Sequence, residues 1–132
     1  MRIVAIVDDD HAVRDSLRFL LEVVGYSVAT FTSAAEFLSG DEENLACLIL
    51  DYHMPDMTGL QLAEDLRANG ATMPILLITA SPSLAIVVRA TELGIKVLKK
   101  PTGEGDLLYF INAAFRNCRT ELSRATASRD IE

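Results

Sequence analysis

Five short apolar runs, Ile3 to Val7, Tyr26 to Thr30, Leu45 to Leu50, Pro74 to Thr79 and Ile95 to Leu98, recur along the chain with amphipathic stretches between them. Runs of this length and character are strands covered on both faces, and the stretches between them can serve as the crossover helices that parallel pairing requires. The first stretch carries Val13, Leu17, Leu20, Leu21 and Val24 on one stripe, and the last does the same with Leu107, Ile111, Ala114, Phe115 and Cys118. Ser33 to Ser39, Thr58 to Asn69 and Ser83 to Leu93 read as three further helices, with Thr58 as a cap and Gly94 as a stop. Gly25, Gly70 and Gly94 each stand between a helix and a strand, where a left-handed residue is needed. The expected class is α/β: five βα units forming a doubly wound, five-stranded parallel sheet with helices on both faces.

A chain of 132 residues, half of them hydrophobic, makes one domain with a full core. Residues 1–119 are expected to be that domain, and the polar stretch 120–132 a frayed helix end or truncated linker. Cys47 and Cys118 lie in apolar surroundings and read as buried small hydrophobes, not as a disulfide framework. Twelve basic against nineteen acidic residues give a net charge of −7, the wrong sign for neutralising nucleic-acid phosphates. No direct nucleic-acid binding is therefore expected. Acids interrupt the N-terminus before signal-peptide length, and no run approaches the ~20 apolar residues of a membrane span. The expected location is the cytoplasm, away from the membrane.

The chemistry lies in where the acids fall. Asp8, Asp9 and Asp10 follow the first strand, Asp51 follows the third, Thr79 ends the fourth and Lys100 follows the fifth. In a parallel open sheet the carboxyl ends share one edge, and ligands bind where the strand order reverses. With the order 2-1-3-4-5, borrowed by analogy from flavodoxin-like sheets, that crevice lies between the first and third strands and gathers Asp8, Asp9 and Asp51. Carboxylates so gathered repel, and a hard divalent cation bound through oxygen relieves them; Mg2+ suits a site that keeps a place for phosphate oxygens. Asp51 would then be a carboxylate nucleophile toward a phosphoryl group, the Lys100 ammonium a second clamp, and the Thr79 hydroxyl a donor to the new phosphoryl oxygens. Asp10 fits better as the N-cap of the first helix than as a ligand.

These blocks, Val7-Asp8-Asp9-Asp10, then Leu50 through Gly59, then Ile78-Thr79-Ala80, then Lys100-Pro101, resemble the response-regulator receiver family from Ile3 to about Cys118. The opening from Val4 through Leu38 is similar to receivers of nitrogen-fixation-type regulators, which usually carry a helix-turn-helix output domain; the sequence contains none. The resemblance implies a sensor histidine kinase or phosphotransfer protein as donor. It implies that Asp9, Asp51 and the backbone carbonyl of His53 ligate Mg2+, with Asp8 acting mainly through a bound water. It also implies a cis Lys100-Pro101 peptide that aims Lys100 into the site. The expected role is signal relay, not turnover.

Three positions depart from the family or stay open. Val97 stands where Phe or Tyr usually couples to the switch threonine, Thr102 stands where an aromatic often follows the proline, and Lys99 is a rival to Lys100. His53 and Ser81, each two residues beyond a site residue, are expected to flank the phosphoryl oxygens and set the lifetime of the phosphorylated state. The fourth helix carries more apolar residues than one stripe needs, so it should form, with the fifth strand and fifth helix, a face for an output partner or a homodimer. Ile86, Arg89, Val97 and Tyr109 are the candidates there. Two other functions stay in play: a phosphorylation-independent degenerate receiver, and a Mg-dependent phosphohydrolase. The latter would want a second aspartate where His53 stands.

Overall fold

The computed structural model describes residues 2–40 and 44–116. Strand and helix alternate: β1 (Ile3–Val7), α1 (His11–Val24), β2 (Ser27–Phe31), α2 (Ala34–Ser39), β3 (Leu45–Asp51), α3 (Gly59–Ala68), β4 (Ile75–Thr79), α4 (Leu84–Glu92) and β5 (Lys96–Lys99). A fifth helix, α5, covers residues 104–116. All five strands are parallel, in the order β2-β1-β3-β4-β5. This is the flavodoxin-like arrangement expected from the sequence.

Successive side chains on a strand point to opposite faces, so the unbroken apolar runs feed two separate cores. Ala5, Val7, Leu48, Leu50, Ile75 and Leu77 pack with Phe37 of α2, Leu62 of α3 and Ala90 of α4. Val4, Ile6, Cys47, Ile49, Leu76 and Ile78 pack with Leu21 of α1 and with Leu107, Ile111 and Ala114 of α5. Each fully buried Leu or Ile contributes about 1.5–3 kcal/mol by leaving water. Position 47 follows this alternation, with Cys47 buried on the α1/α5 face. Cys118 and the expected tail 120–132 lie outside the described residues.

Several boundaries move by one residue, each for a hydrogen-bonding reason. Tyr26 is not part of β2 because its amide donates to the Leu21 carbonyl at 2.9 Å in the cap of α1; Phe31 joins instead by pairing with Val7. Ile95 precedes β5 because its amide closes the end of α4 on the Ala90 carbonyl at 2.8 Å. Val24, expected on the apolar stripe of α1, is 52% exposed. It lies about 60° around the helix from buried Leu21, and the chain turns away at Gly25, φ 114°. Thr58 caps α3 in a reciprocal box with Gln61, and Asp10 caps α1 through the amides of Ala12 and Val13.

Candidate functional site

Register builds the site. Val7 pairs with Leu50, and Asp51 with Ile78. The residue after Val7 is Asp8, so Asp8 and Asp51 arrive side by side at the carboxyl rim between β1 and β3. Both are 5% exposed, whereas Asp9 is exposed. One carboxylate oxygen from each of Asp8, Asp9 and Asp51 lies within 4.8 Å of the others. Asp10 is turned to its capping role, while its own amide donates to Asp8 Oδ1 at 2.9 Å. Burial pushes the Asp8 carboxyl above its ordinary pKa, and repulsion from Asp51 and Asp9 adds to this, against the Asp10 amide and the Lys100 charge.

Lys100 supplies the countercharge. Its amide donates to the Thr79 carbonyl at 2.9 Å, holding the end of β5 against β4, and its Nζ stands 2.7 Å from Asp51 Oδ1. Apart from that ammonium, this buried oxygen has no hydrogen-bond partner among the described residues. Burial pulls the Lys100 pKa down, yet the bond to Asp51 and the charges of Asp51, Asp8 and Asp10 outweigh it, and the ammonium titrates above an ordinary lysine. The Lys100-Pro101 peptide is cis. Lys99 is exposed, and of the two lysines it is Lys100 that reaches Asp51. Thr79 is 1% exposed, and its Oγ1 accepts the Ser81 amide at 3.2 Å. Its proton remains for another acceptor.

The donor set fits a hard cation: three carboxylates converge, two of them poorly solvated, and one buried oxygen is met only by a lysine. The His53 imidazole packs edge-on against Tyr52, with ring centroids 5.0 Å apart, and is not one of the clustered ligand groups. Three supporting residues escaped the sequence reading. Arg14 Nη1 donates to the Asp8 carbonyl at 2.7 Å. Asp56 accepts from the start of α2. Gly59 runs so close under the site that a Cβ there would sit 2.4 Å from the Asp51 carbonyl oxygen and 2.8 Å from Leu77 Cδ1. A glycine directly after a helix cap, where helix formers are favoured, was the available signal for the last of these.

The family description "Response regulator receiver domain" matches residues 4–112. The chain belongs to the response-regulator receiver family. The receiver is 38% identical over 113 residues to the transcriptional regulatory protein FixJ of Azorhizobium caulinodans, covering 84% of this chain and 54% of that protein. It is 35% identical over 132 residues to the response regulator protein TodT of Pseudomonas putida, covering 98% of this chain and 58% of the other. The chain thus spans little more than half the length of the curated relatives it matches. Among solved structures, the response regulator StyR superposes with a TM-score of 0.84 at 38% identity, over 97% of this chain and 66% of that one. A CheY-like receiver domain protein from Methanospirillum hungatei gives 0.83 at 30% identity, over 92% and 98%.

The receiver carries two surfaces beside its acids. A groove of about 490 Å³ opens between α1 and the segment after β5, with Val13, Leu17, Ile78, Pro101 and Thr102 along it and Asp8 and Lys100 at its site end. The second surface is α4, where Leu84, Val87 and Val88 are exposed along with Tyr109 of α5. Ile86 and Val97, expected on that face, instead pack partly against the core. No described helix is long and apolar enough to cross a membrane.

Proposed function

We propose that Asp51 accepts a phosphoryl group in a Mg2+-dependent reaction, and that the receiver passes this state to a partner or output domain. The observation that carries the reading is the Asp51 carboxylate, nearly buried, facing the Lys100 ammonium at 2.7 Å and sharing its rim with Asp8 and Asp9. Asp9, Asp51 and the His53 carbonyl would hold the metal, with Asp8 acting through water. Magnesium bound there would neutralise charge on the carboxylates and the phosphoryl oxygens.

The chain's own groups do the rest. An Asp51 oxygen attacks phosphorus as the bond from phosphorus to the donor breaks, and the electron pair leaves on the donor, the imidazole of a histidine kinase or phosphotransfer protein. Lys100 exchanges its contact with the bare carboxylate for one with the phosphoryl oxygens. Thr79 turns its hydroxyl toward the same oxygens, giving up the Ser81 amide, and this rearrangement shifts the population of the β4–α4 segment. His53 and Ser81 set how long the state lasts by admitting or hindering the attacking water. The groove beside α1 supports docking of the donor, and the exposed apolar residues of α4 with Tyr109 support an output partner or homodimer. A cytoplasmic location accords with a partner kinase of this kind.

Mass spectrometry after treatment with acetyl phosphate and Mg2+ tests the reading. One phosphoryl group per chain is expected, lost with Asp51→Asn or on chelation of the metal. Many turnovers of a phosphomonoester would favour a phosphohydrolase. An unlabelled chain whose partner affinity is the same for Asp51→Asn would favour the phosphorylation-independent reading.

A further inference from the structure

The segment 52–58, which joins β3 to α3, carries the His53 carbonyl and is pinned at both ends. The Tyr52 amide donates to the Ile78 carbonyl, and the Gly59 amide to the Tyr52 carbonyl, each at 2.9 Å. Between these anchors, the Asp56 carboxylate reaches to the start of α2. Its Oδ2 accepts from the Ala35 amide at 2.8 Å, and its Oδ1 from the Ala34 amide at 3.4 Å and the Met57 amide at 3.1 Å. Ser33 satisfies the next amide of the turn, that of Glu36, at 3.1 Å. The first turn of α2 is therefore capped by two side chains, one local and one from 21 residues away.

The sheet order gives this long-range cap its meaning. Because β1 lies between β2 and β3, a bond from the segment after β3 to the helix after β2 spans the end of β1, where Asp8 and Asp9 emerge. It braces the two segments that flank the acidic pair. α2 needs only a cap, which Ser33 already supplies in part; a carboxylate bridging from the ligand-bearing segment serves that segment as well.

We propose that Asp56 is a positioning residue for the metal site: by bracing segment 52–58 against α2, it holds the His53 carbonyl in place before the ion arrives. This rests on the reading of Asp9, Asp51 and the His53 carbonyl as ligands. A carbonyl that must be ordered on binding lowers affinity by the cost of ordering it, and the brace removes that cost in advance.

Calorimetric titration of the intact chain with Mg2+ tests the role. Asp56→Ala should weaken binding by about tenfold, the low end for loss of a group that orients a ligand. Asp56→Asn keeps an oxygen for the Ala35 amide without the charge, and should recover most of that loss. Ser33→Ala uncaps α2 locally and should leave Mg2+ affinity unchanged. Equal weakening by Asn and Ala would assign the effect to charge, and unchanged affinity in Asp56→Ala would remove it; either outcome overturns the proposal. Should Asp56→Ala fail to fold, the wild type gives the same answer. Coupling is reciprocal, so saturating Mg2+ should slow hydrogen exchange of the Ala35 amide by a similar factor, and an unchanged rate would refute the brace. A wild type with no Mg2+ affinity would instead sink the ligand assignment, and this proposal with it.

Discussion

The two halves of the sheet's carboxyl rim are built to different standards. On one side, β3 is buried along its whole length, and β1 is buried at four of its five residues. On the other, α4 buries only Ala90 and leaves Leu84 80% and Val88 50% exposed, while β5 is exposed at both ends. The difference follows from what each half does in the proposed switch. Carboxylates that share an ion need fixed positions, which central strands packed on both faces provide. A segment that reports a new phosphoryl group needs an alternative conformation within a few kcal/mol, and sparse burial keeps one within reach. Thr79 sits at the seam, buried on β4 and bonded forward to Ser81 at the start of the looser half.

The contrast is broken or sharpened first by truncation. Leu48→Ala, at a fully buried position on β3, should cost about 3 kcal/mol in urea unfolding, from lost transfer energy and the cavity left behind. Val88→Ala on α4 should stay within about 0.5 kcal/mol. Similar costs at the two positions would show that the exposure of α4 is no guide to its stability. Next in size is Gly59→Ala. Its new methyl would meet the Asp51 backbone, not a flexible side chain, so the cost should be about 1–3 kcal/mol. Because the strain falls on the carboxylate's own residue, Mg2+ affinity should fall too; a destabilised variant with intact affinity would show that the rim absorbs the displacement elsewhere.

The firm half was also the more legible one in the sequence. β1 was read to the residue, and Asp8, Asp9 and Asp51 were placed together because parallel topology brings strand ends to one edge whatever the side chains do. The looser half was read less well. Ile86 of α4 and Val97 of β5 are expected on the outer face, yet they pack partly on the core; for Ile86, a helix with apolar residues all round gives no periodicity from which to choose its buried stripe. Asp56 and Arg14 could not have been found by pattern. One bonds across 21 residues and the other to a main-chain carbonyl, and neither relation leaves a local spacing.

A smaller effect concerns the charge stored in the firm half. The Asp8 carboxyl has a raised pKa in the fold, mainly through burial, so the folded state holds its proton more tightly than the unfolded state does. Metal-free stability from this group is therefore fully present at acid pH and is lost as pH rises from the ordinary carboxylate range through the raised value. Asp8→Asn retains an oxygen for the Asp10 amide and removes the charge. Without metal it should raise the Tm at neutral pH and flatten its decline as pH rises above the ordinary carboxylate range. Saturating Mg2+ should reverse the order, because a ligand at about a hundredfold its Kd adds about 2.7 kcal/mol to the form that binds it best. A wild type that is the more stable of the two in both conditions would mean that the acids are not in conflict before the ion binds.

The smallest expected effect tests the other half. Arg89 ties α4 to α3 through half-buried Glu64 at 3.0 Å and sits 3.7 Å from Glu92 on its own helix, Arg89 and Glu92 both being exposed. Arg67 makes a firmer tie lower down, donating from a half-buried guanidinium to the carbonyls of Leu93, Ala71 and Met73. Exposed pairs contribute little because water screens them and two long side chains must be ordered. Arg89→Ala should therefore cost no more than about 0.5 kcal/mol and should speed amide exchange in α4 about twofold. Amides of β3, which exchange through unfolding of the whole domain, should speed by no more than the same factor and should be far better protected than those of α4 in both proteins. Equal protection of β3 and α4 would mean that the halves open as one unit, and the rim's two standards of construction would then be a difference in exposure without a difference in stability.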